Sequence, residues 1–489
     1  MTTTGIGTRP DAPAQCTGFA TRPVLLIAAA AALVLLVASN SAGYFFDELY
    51  FLAAGRDHLA WGYFDQPPLV PVLAALMDMI APGSLVVFRL PVTIAATATV
   101  VLAAAIAREL GGSRRAQVLA AGAVAVSGTM IASHWLATYT IDPALWTLIL
   151  WLVTRWVRMR RDGLLLLAGV VTAVSLQAKF LVPGLWVALI AAVLLVGPRA
   201  LPRRPALWAG GAIAVVLTVP TLLWQAANGW PYTQMSDVVR AEWEGAVGFA
   251  SSALILPGLI GGPLMIIGLV RVLRAPRRHP AGYLAIALLG LALAIGLIHG
   301  RSYYLLGITP ALTALGAVEL TAWARGRAPR IRAVLAAVGF ALSAAGVLTT
   351  LPVLPAPLLP YLPASALVAG ETAMQPAGEI TAAAFRALPP QQQARTAVVA
   401  HIYPIAASID VYGRRAGAPP AYSPHRGYGY FAPPPETATD ALWVGVEEPA
   451  RLRPYFTECH PLPGDTLDVW LCTGRTVPWA QAWPELRFR

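Results

Sequence analysis

Two acidic residues stand side by side in Tyr44-Phe45-Phe46-Asp47-Glu48-Leu49-Tyr50, directly after the first long apolar run, and a third follows in Gly62-Tyr63-Phe64-Asp65-Gln66-Pro67-Pro68-Leu69. Carboxylates this close to hydrocarbon are costly and usually mark a site or an aqueous path. On a helix two neighbours point about 100° apart. Asp47 and Glu48 would therefore meet different partners, one acting as a base while the other orients or binds. The plainer alternative is a solvated interfacial loop within an aromatic belt, but Asp65 and the Pro67-Pro68 turn close behind favour chemistry. Cations that could face an anion are few. Lys179 is the only lysine in the chain, and Arg301 stands in Gly300-Arg301-Ser302-Tyr303-Tyr304. Either suits phosphate oxygens, the alternative for both being snorkelling to lipid headgroups. Arg89, beside Pro91, reads as such an anchor. Asp142, just before Pro143, reads as a helix N-terminal cap.

These residues are held by a chain that is not an ordinary soluble protein. Of 489 residues 57% are hydrophobic and only 12% charged, against about 25% charged in globular chains. Apolar runs long enough for membrane spans recur near 24–40, 86–107, 116–133, 143–157, 163–178, 181–197, 206–224, 253–270, 281–298, 303–323 and 333–350. That predicts about eleven transmembrane helices. Alternate connections, at 108–115, 155–161, 199–204, 271–278 and 325–332, are rich in Arg, while the opposite ones up to residue 350 hold only Arg56, Arg89, Lys179, Arg240 and Arg301. The positive-inside rule then places residues 1–23 in the cytoplasm and the C-terminus outside. The net charge of +11 is thus a topology signal and argues for no nucleic-acid partner. The first run leads straight into aromatic residues without a small-residue cleavage site, so it reads as a retained span.

The predicted fold is a polytopic α-helical membrane protein, residues 24–350, with outer loops at 41–85 and 225–252. A small C-terminal extracytoplasmic α/β domain follows at 351–489, with strands in Ala397–Ala400, Leu442–Val446 and Leu467–Leu471, behind a Pro-rich linker at 352–363. Cys459 and Cys472 lie in this domain on either side of a Pro-Gly turn. They are a candidate disulfide in an oxidising compartment, two reduced thiols being the alternative.

The Asp-Glu pair after the first span and the later Pro-Pro-Leu resemble the polyprenol-phosphate-dependent GT-C glycosyltransferases. The resemblance is to the glycosyltransferase family 39 or protein mannosyltransferase-like group, relatives of the aminoarabinose transferases. It continues through Thr140-Ile141-Asp142-Pro143, Ala178-Lys179-Phe180, Trp224-Gln225-Ala226-Ala227-Asn228-Gly229-Trp230-Pro231, Gly300-Arg301-Ser302-Tyr303-Tyr304 and Ala407-Ser408-Ile409-Asp410-Val411-Tyr412-Gly413. There are departures: Gln66 precedes the Pro pair where relatives usually have His or Lys, Arg301 stands where many bacterial members have Lys, and Ile402-Tyr403-Pro404 replaces Asn-Tyr-Gly. These bear on the substrate more than on the reaction.

The resemblance implies inverting transfer of a sugar from a polyprenyl-phosphate donor to a hydroxyl of an extracytoplasmic protein, lipid or envelope glycan, at a bacterial plasma membrane. Asp47 is then the general base and Glu48 a supporting or metal-contacting residue. Lys179, Arg301, Tyr303 and Tyr304 would face the donor phosphate. Asp65, Gln66, Pro67, Pro68, Asp142, Asn228 and Trp230 would line the substrate cavity, the bland alternative for Asn228 and Trp230 being an interfacial aromatic turn. No Cys/His cluster has zinc spacing and no Gly-rich loop fits a nucleotide. A divalent cation such as Mg or Mn on Asp47 and Glu48 is an open expectation. The competing classes are a transporter or flippase of lipid-linked sugars, which would place charges inside the spans, and a receptor-like protein binding wall material.

Overall fold

The computed structural model describes residues 17–40, 42–324, 329–463 and 467–489; the first sixteen residues of the expected cytoplasmic tail lie outside them. Every apolar run is helical. Thr21–Ser39, Leu90–Glu109, Thr138–Met159, Gly163–Ala178, Val182–Val196, Pro205–Ala227, Gly282–Leu297, Thr309–Trp323 and Pro329–Thr350 are single helices. The runs at 86–107 and 303–323 open with a short separate turn, Leu85–Phe88 and Ser302–Gly307, and two more are broken further in. At 116–133 the chain stops at Ala125 and restarts at Gly128, where the Ser127 hydroxyl accepts from the Thr129 N–H. At 253–270, Gly245–Ile255 and Gly258–Leu273 meet at 101°, a bend that Pro257 and a left-handed Gly258 (φ +78) make possible. Among the described residues four helices are long and apolar enough to cross a membrane, or five if the bent pair is one span. The eleven runs are therefore all helical without all being full-length spans, and the chain is a multi-pass membrane protein.

The loop after the first apolar run is structured, with helices Phe46–Asp57 and Leu69–Ile80. The C-terminal part carries a five-stranded mixed sheet in the order β2-β1-β3-β5-β4. Its strands are β1 (Thr396–Ala400), β2 (Ala421–Tyr422), β3 (Asp440–Gly445), β4 (Phe456–Pro461) and β5 (Asp468–Arg475). β1 runs parallel to β2 and β3, while β5 is antiparallel to β3 and β4. The predicted strands are β1, β3 and β5; β2 is two residues long and β4 an exposed edge, so neither shows an apolar run. Cys459 and Cys472 sit opposite one another on β4 and β5 and form a disulfide.

Side-chain alternation along β1 splits the core in two. Ala397 and Val399 join Trp443, Trp479 and Trp483 on one face. Val398 and Ala400 join Leu49, Tyr50, Tyr403 and Ala406 on the other. The second cluster matters most for the site, because it seats the sheet domain directly on helix Phe46–Asp57. Burying Leu49 or Tyr50 there is worth roughly 1.5–3 kcal/mol each, so the base of the first outer loop is held by residues from the far end of the chain.

Candidate functional site

A cavity of about 880 Å³ opens between the bundle and the sheet domain. Asp47, in the first turn of helix Phe46–Asp57, lies on its wall with its carboxylate recessed into protein. Tyr403, at the start of helix Tyr403–Ser408, donates from its hydroxyl to Asp47 Oδ1 at 2.9 Å. Burial pushes the Asp47 carboxyl up to about 6; the Tyr403 hydrogen bond opposes this, Asp65 adds to it, and Arg426 and Arg301 oppose it. Asp65 accepts from the Tyr50 hydroxyl at 2.9 Å, and its carboxyl is likewise raised, chiefly by burial. Tyr50 reaches it by passing over Gly427, where a Cβ would stand 1.8 Å from the tyrosine oxygen.

The cationic side of the cavity gathers Lys179, Arg301 and Arg426. Lys179 Nζ lies 4.2 Å from the Tyr304 ring centre and 5.1 Å from that of Tyr303. Arg301 donates to the Tyr303 hydroxyl at 2.8 Å and pairs with Glu242. Arg426 pairs with the other oxygen of Glu242 at 3.3 Å. It holds a positive φ of 46°, an uncommon conformation for a side chain of this size and one often found at functional positions. Two guanidinium groups thus share one carboxylate at the cavity mouth.

Glu48 points away from this space, as its one-residue offset from Asp47 requires. It is fully buried. Its carboxylate accepts from Arg89 Nε and a terminal Arg89 nitrogen at 2.9 and 2.6 Å, and from the Phe45 and Leu136 backbone N–H groups at 2.9 and 2.8 Å. Arg89 also meets Glu371 at 3.0 Å, and Glu371 in turn holds His134 and Trp135 at 2.8 and 3.0 Å. The anchor reading of Arg89 is therefore corrected: it is a buried ion-pair centre joining the loop after the first apolar run, the Leu90–Glu109 helix and the stretch leading to the sheet domain. With its oxygens so engaged, Glu48 does not face Asp47 across a shared cation position. Among the described residues no group of three or more His, Cys, Asp or Glu gathers to hold a metal ion.

Asp142 is no helix cap. The helix begins at Thr138, and its first turn is closed by Thr140, whose hydroxyl accepts from the Ala137 N–H at 3.0 Å. Asp142 lies one turn further in, accepts from the Ser175 hydroxyl, and lines a small recess with Lys179, Tyr303 and Tyr304. Gln66 reaches the main cavity beside Asp65, whereas Pro67 and Pro68 only lead into helix Leu69–Ile80. Asn228 and Trp230 also lie outside the cavity: Asn228 donates to its own helix at Trp224 O (2.9 Å), and Trp230 is an exposed left-handed residue. They form the aromatic turn, while Tyr232 and Thr233 just beyond it reach the lining. Tyr403, Arg426, Glu242 and Tyr139 are among the lining residues that sequence reasoning missed. Tyr403 had a signal, since it is the one residue kept in the departing Ile402-Tyr403-Pro404; Arg426 had none.

Residues 65–224 match the family model described as dolichyl-phosphate-mannose-protein mannosyltransferase. No curated protein matches the chain by sequence. Among solved structures, ArnT from Cupriavidus metallidurans bound to undecaprenyl phosphate matches with a TM-score of 0.63 at 17% identity, covering 92% of this chain and 98% of that one. The chain is a membrane protein with the GT-C fold. Apo ArnT has the same GT-C fold at a TM-score of 0.61 and 16% identity, over 93% and 98% of the two chains. The Archaeoglobus fulgidus oligosaccharyltransferase tethered with an acceptor peptide matches at 0.51 and 14% identity, over 81% of this chain and 63% of its own. Within this fold the likeness to ArnT spans the bundle and the sheet domain together, the two parts between which the cavity lies.

Proposed function

We propose that the protein is an inverting glycosyltransferase that moves a sugar from a polyprenyl-phosphate donor to a hydroxyl of an extracytoplasmic acceptor, at a bacterial plasma membrane with residues 1–23 inside. The observation that carries this reading is the placement of one recessed carboxylate, Asp47, across a single cavity from Lys179, Arg301 and Arg426. The family-model match and the ArnT bound to undecaprenyl phosphate support the donor class.

In the proposed step the acceptor oxygen attacks the anomeric carbon, the bond from that carbon to the phosphate oxygen breaks, and polyprenyl phosphate leaves with the electron pair. Asp47 takes the hydroxyl proton. Tyr403 occupies Oδ1 and so turns Oδ2 toward the acceptor. The negative charge that grows on the phosphate meets guanidinium and ammonium groups already in place. One base and a phosphate leaving group suffice, so the paired carboxyls of a glycosidase are not required. Aromatic residues on the lining, Tyr139, Tyr303 and Phe45 among them, offer faces for a sugar ring.

The test is to supply the purified protein in lipid nanodiscs with a panel of radiolabelled polyprenyl-phosphate sugars and an envelope acceptor extract. The expected result is release of polyprenyl phosphate with labelled product from one donor. Movement of intact lipid-linked sugar across proteoliposomes without turnover would replace this reading with a transporter.

A further inference from the structure

A second large concavity lies away from the site. Helices Thr21–Ser39, Arg114–Ala125 and Pro329–Thr350 enclose a groove of about 1240 Å³. Its walls are hydrocarbon, with Ile27, Val34, Val118, Leu119, Phe340 and Leu348 facing in. Phe340 leans directly on Gly122, where a Cβ would come within 2.9 Å of its ring, so the third helix closes the groove by an aromatic-on-glycine contact. Helix Pro329–Thr350 is otherwise barely covered, 11% of its apolar window being buried.

The groove is polar at one end only. Arg22, Arg114 and Arg115 line it there, at the first turns of their helices. All three are exposed, and none pairs with a carboxylate among the described residues; Arg114 donates to the Phe19 carbonyl at 3.3 Å. Val34 lines the same groove three turns further along the first helix, about 18 Å from Arg22. An apolar trough this long with three exposed guanidinium groups at its mouth is complementary to an anionic headgroup carrying acyl chains.

We infer that this groove holds an anionic glycerophospholipid, its phosphate among Arg22, Arg114 and Arg115 and its chains between the three helices. The glycosyl donor is a poor match in position. Helix Thr21–Ser39 runs from Arg22 toward the loop that bears Asp47 and spans about 28 Å, so this phosphate position and the Asp47 cavity lie at opposite ends of the bundle. The inference does not depend on the proposed function.

Native mass spectrometry of the full-length protein after exchange into equal phosphatidylglycerol and phosphatidylcholine, followed by a delipidating wash, tests it. The wild type should keep phosphatidylglycerol in preference to phosphatidylcholine. The triple variant Arg22→Ser, Arg114→Ser, Arg115→Ser should retain at least about tenfold less, while the triple exchange to Lys, which keeps the charge and its bearing on topology, should retain it. Ala344→Trp, which fills the groove and leaves every charge, should lose the lipid as well. Equal retention of the two lipids by the wild type would overturn the assignment, as would unchanged retention in both the Ser and the Trp variants. Preferential capture of added polyprenyl phosphate at this site would overturn it too.

Discussion

The Tyr403 hydroxyl donates to Asp47 Oδ1 at 2.9 Å across 356 positions of sequence. The sheet domain therefore supplies a group to the carboxylate of the loop after the first apolar run, and the site exists only when the two are packed together. Tyr403→Phe keeps the ring and removes the donor. A hydrogen bond to a charged group is worth about 1.5–3 kcal/mol, so kcat should fall by roughly ten- to a hundredfold. Since that bond holds the Asp47 carboxyl down, the acid limb of the pH–rate profile should also move to higher pH. A rate loss with an unmoved limb would mean that Tyr403 acts only by packing.

In the wild type, burial brings the Asp47 carboxyl to about 6. A general base works ionised, so kcat/KM should rise with pH through about 6 and level off above it, with one proton governing the limb. The sign for stability is opposite. A carboxyl raised in the fold favours its protonated form, so its contribution to stability is present below its ordinary value of 3.8 and is lost as pH rises through 6. A pH–rate titration together with thermal melts in detergent checks both.

Glu242 holds Arg301 and Arg426 where the donor phosphate is proposed to bind. Removing this internal competitor by Glu242→Gln should lower the donor KM by about three- to tenfold, with a smaller effect on kcat. A raised KM would show instead that Glu242 arranges the two arginines for binding.

Much of the site was legible because chemistry at a membrane face leaves a strong mark. A carboxylate pair beside an apolar run and a lone lysine outside the basic connections stand out against their surroundings, and Asp47, Asp65, Lys179, Arg301, Tyr303 and Tyr304 do line one cavity. Asp142 was read ambiguously because Asp-Pro resembles a cap, yet Thr140 closes that turn. Arg89 and Arg426 were not legible as they act. Nothing local distinguishes a buried Arg from a snorkelling one, and the partners of Arg89 come from 41 residues upstream (Glu48) and from Glu371. The helices of the bundle followed from the length of the apolar runs, whereas β2 and β4 are too short or too exposed to carry a pattern.

Arg89 sits at zero exposure between Glu48 and Glu371. Arg89→Ala would leave two carboxylates buried without their partner, and breaking such a pair costs about 3–5 kcal/mol. The variant should melt lower in detergent and be cleaved faster between the bundle and the sheet domain. A melt unchanged from wild type would show that the network contributes nothing to holding the two parts together.

Because Glu48 is engaged by Arg89 and two backbone N–H groups, Asp47 and Glu48 do not offer a joint ligand pair to a divalent cation. Exhaustive chelation should leave the proposed transfer rate within about twofold of the untreated protein. A loss restored by Mg or Mn would show that a cation binds with ligands from the substrate.

The most direct test of the account compares wild type with Asp47→Asn in nanodiscs on the donor identified from the panel, measuring both donor binding and single-turnover transfer. The variant should bind donor as the wild type does while transfer falls by about 10²–10⁴-fold, the usual contribution of a positioned base. Transfer at the wild-type rate with Asn at this position would contradict it.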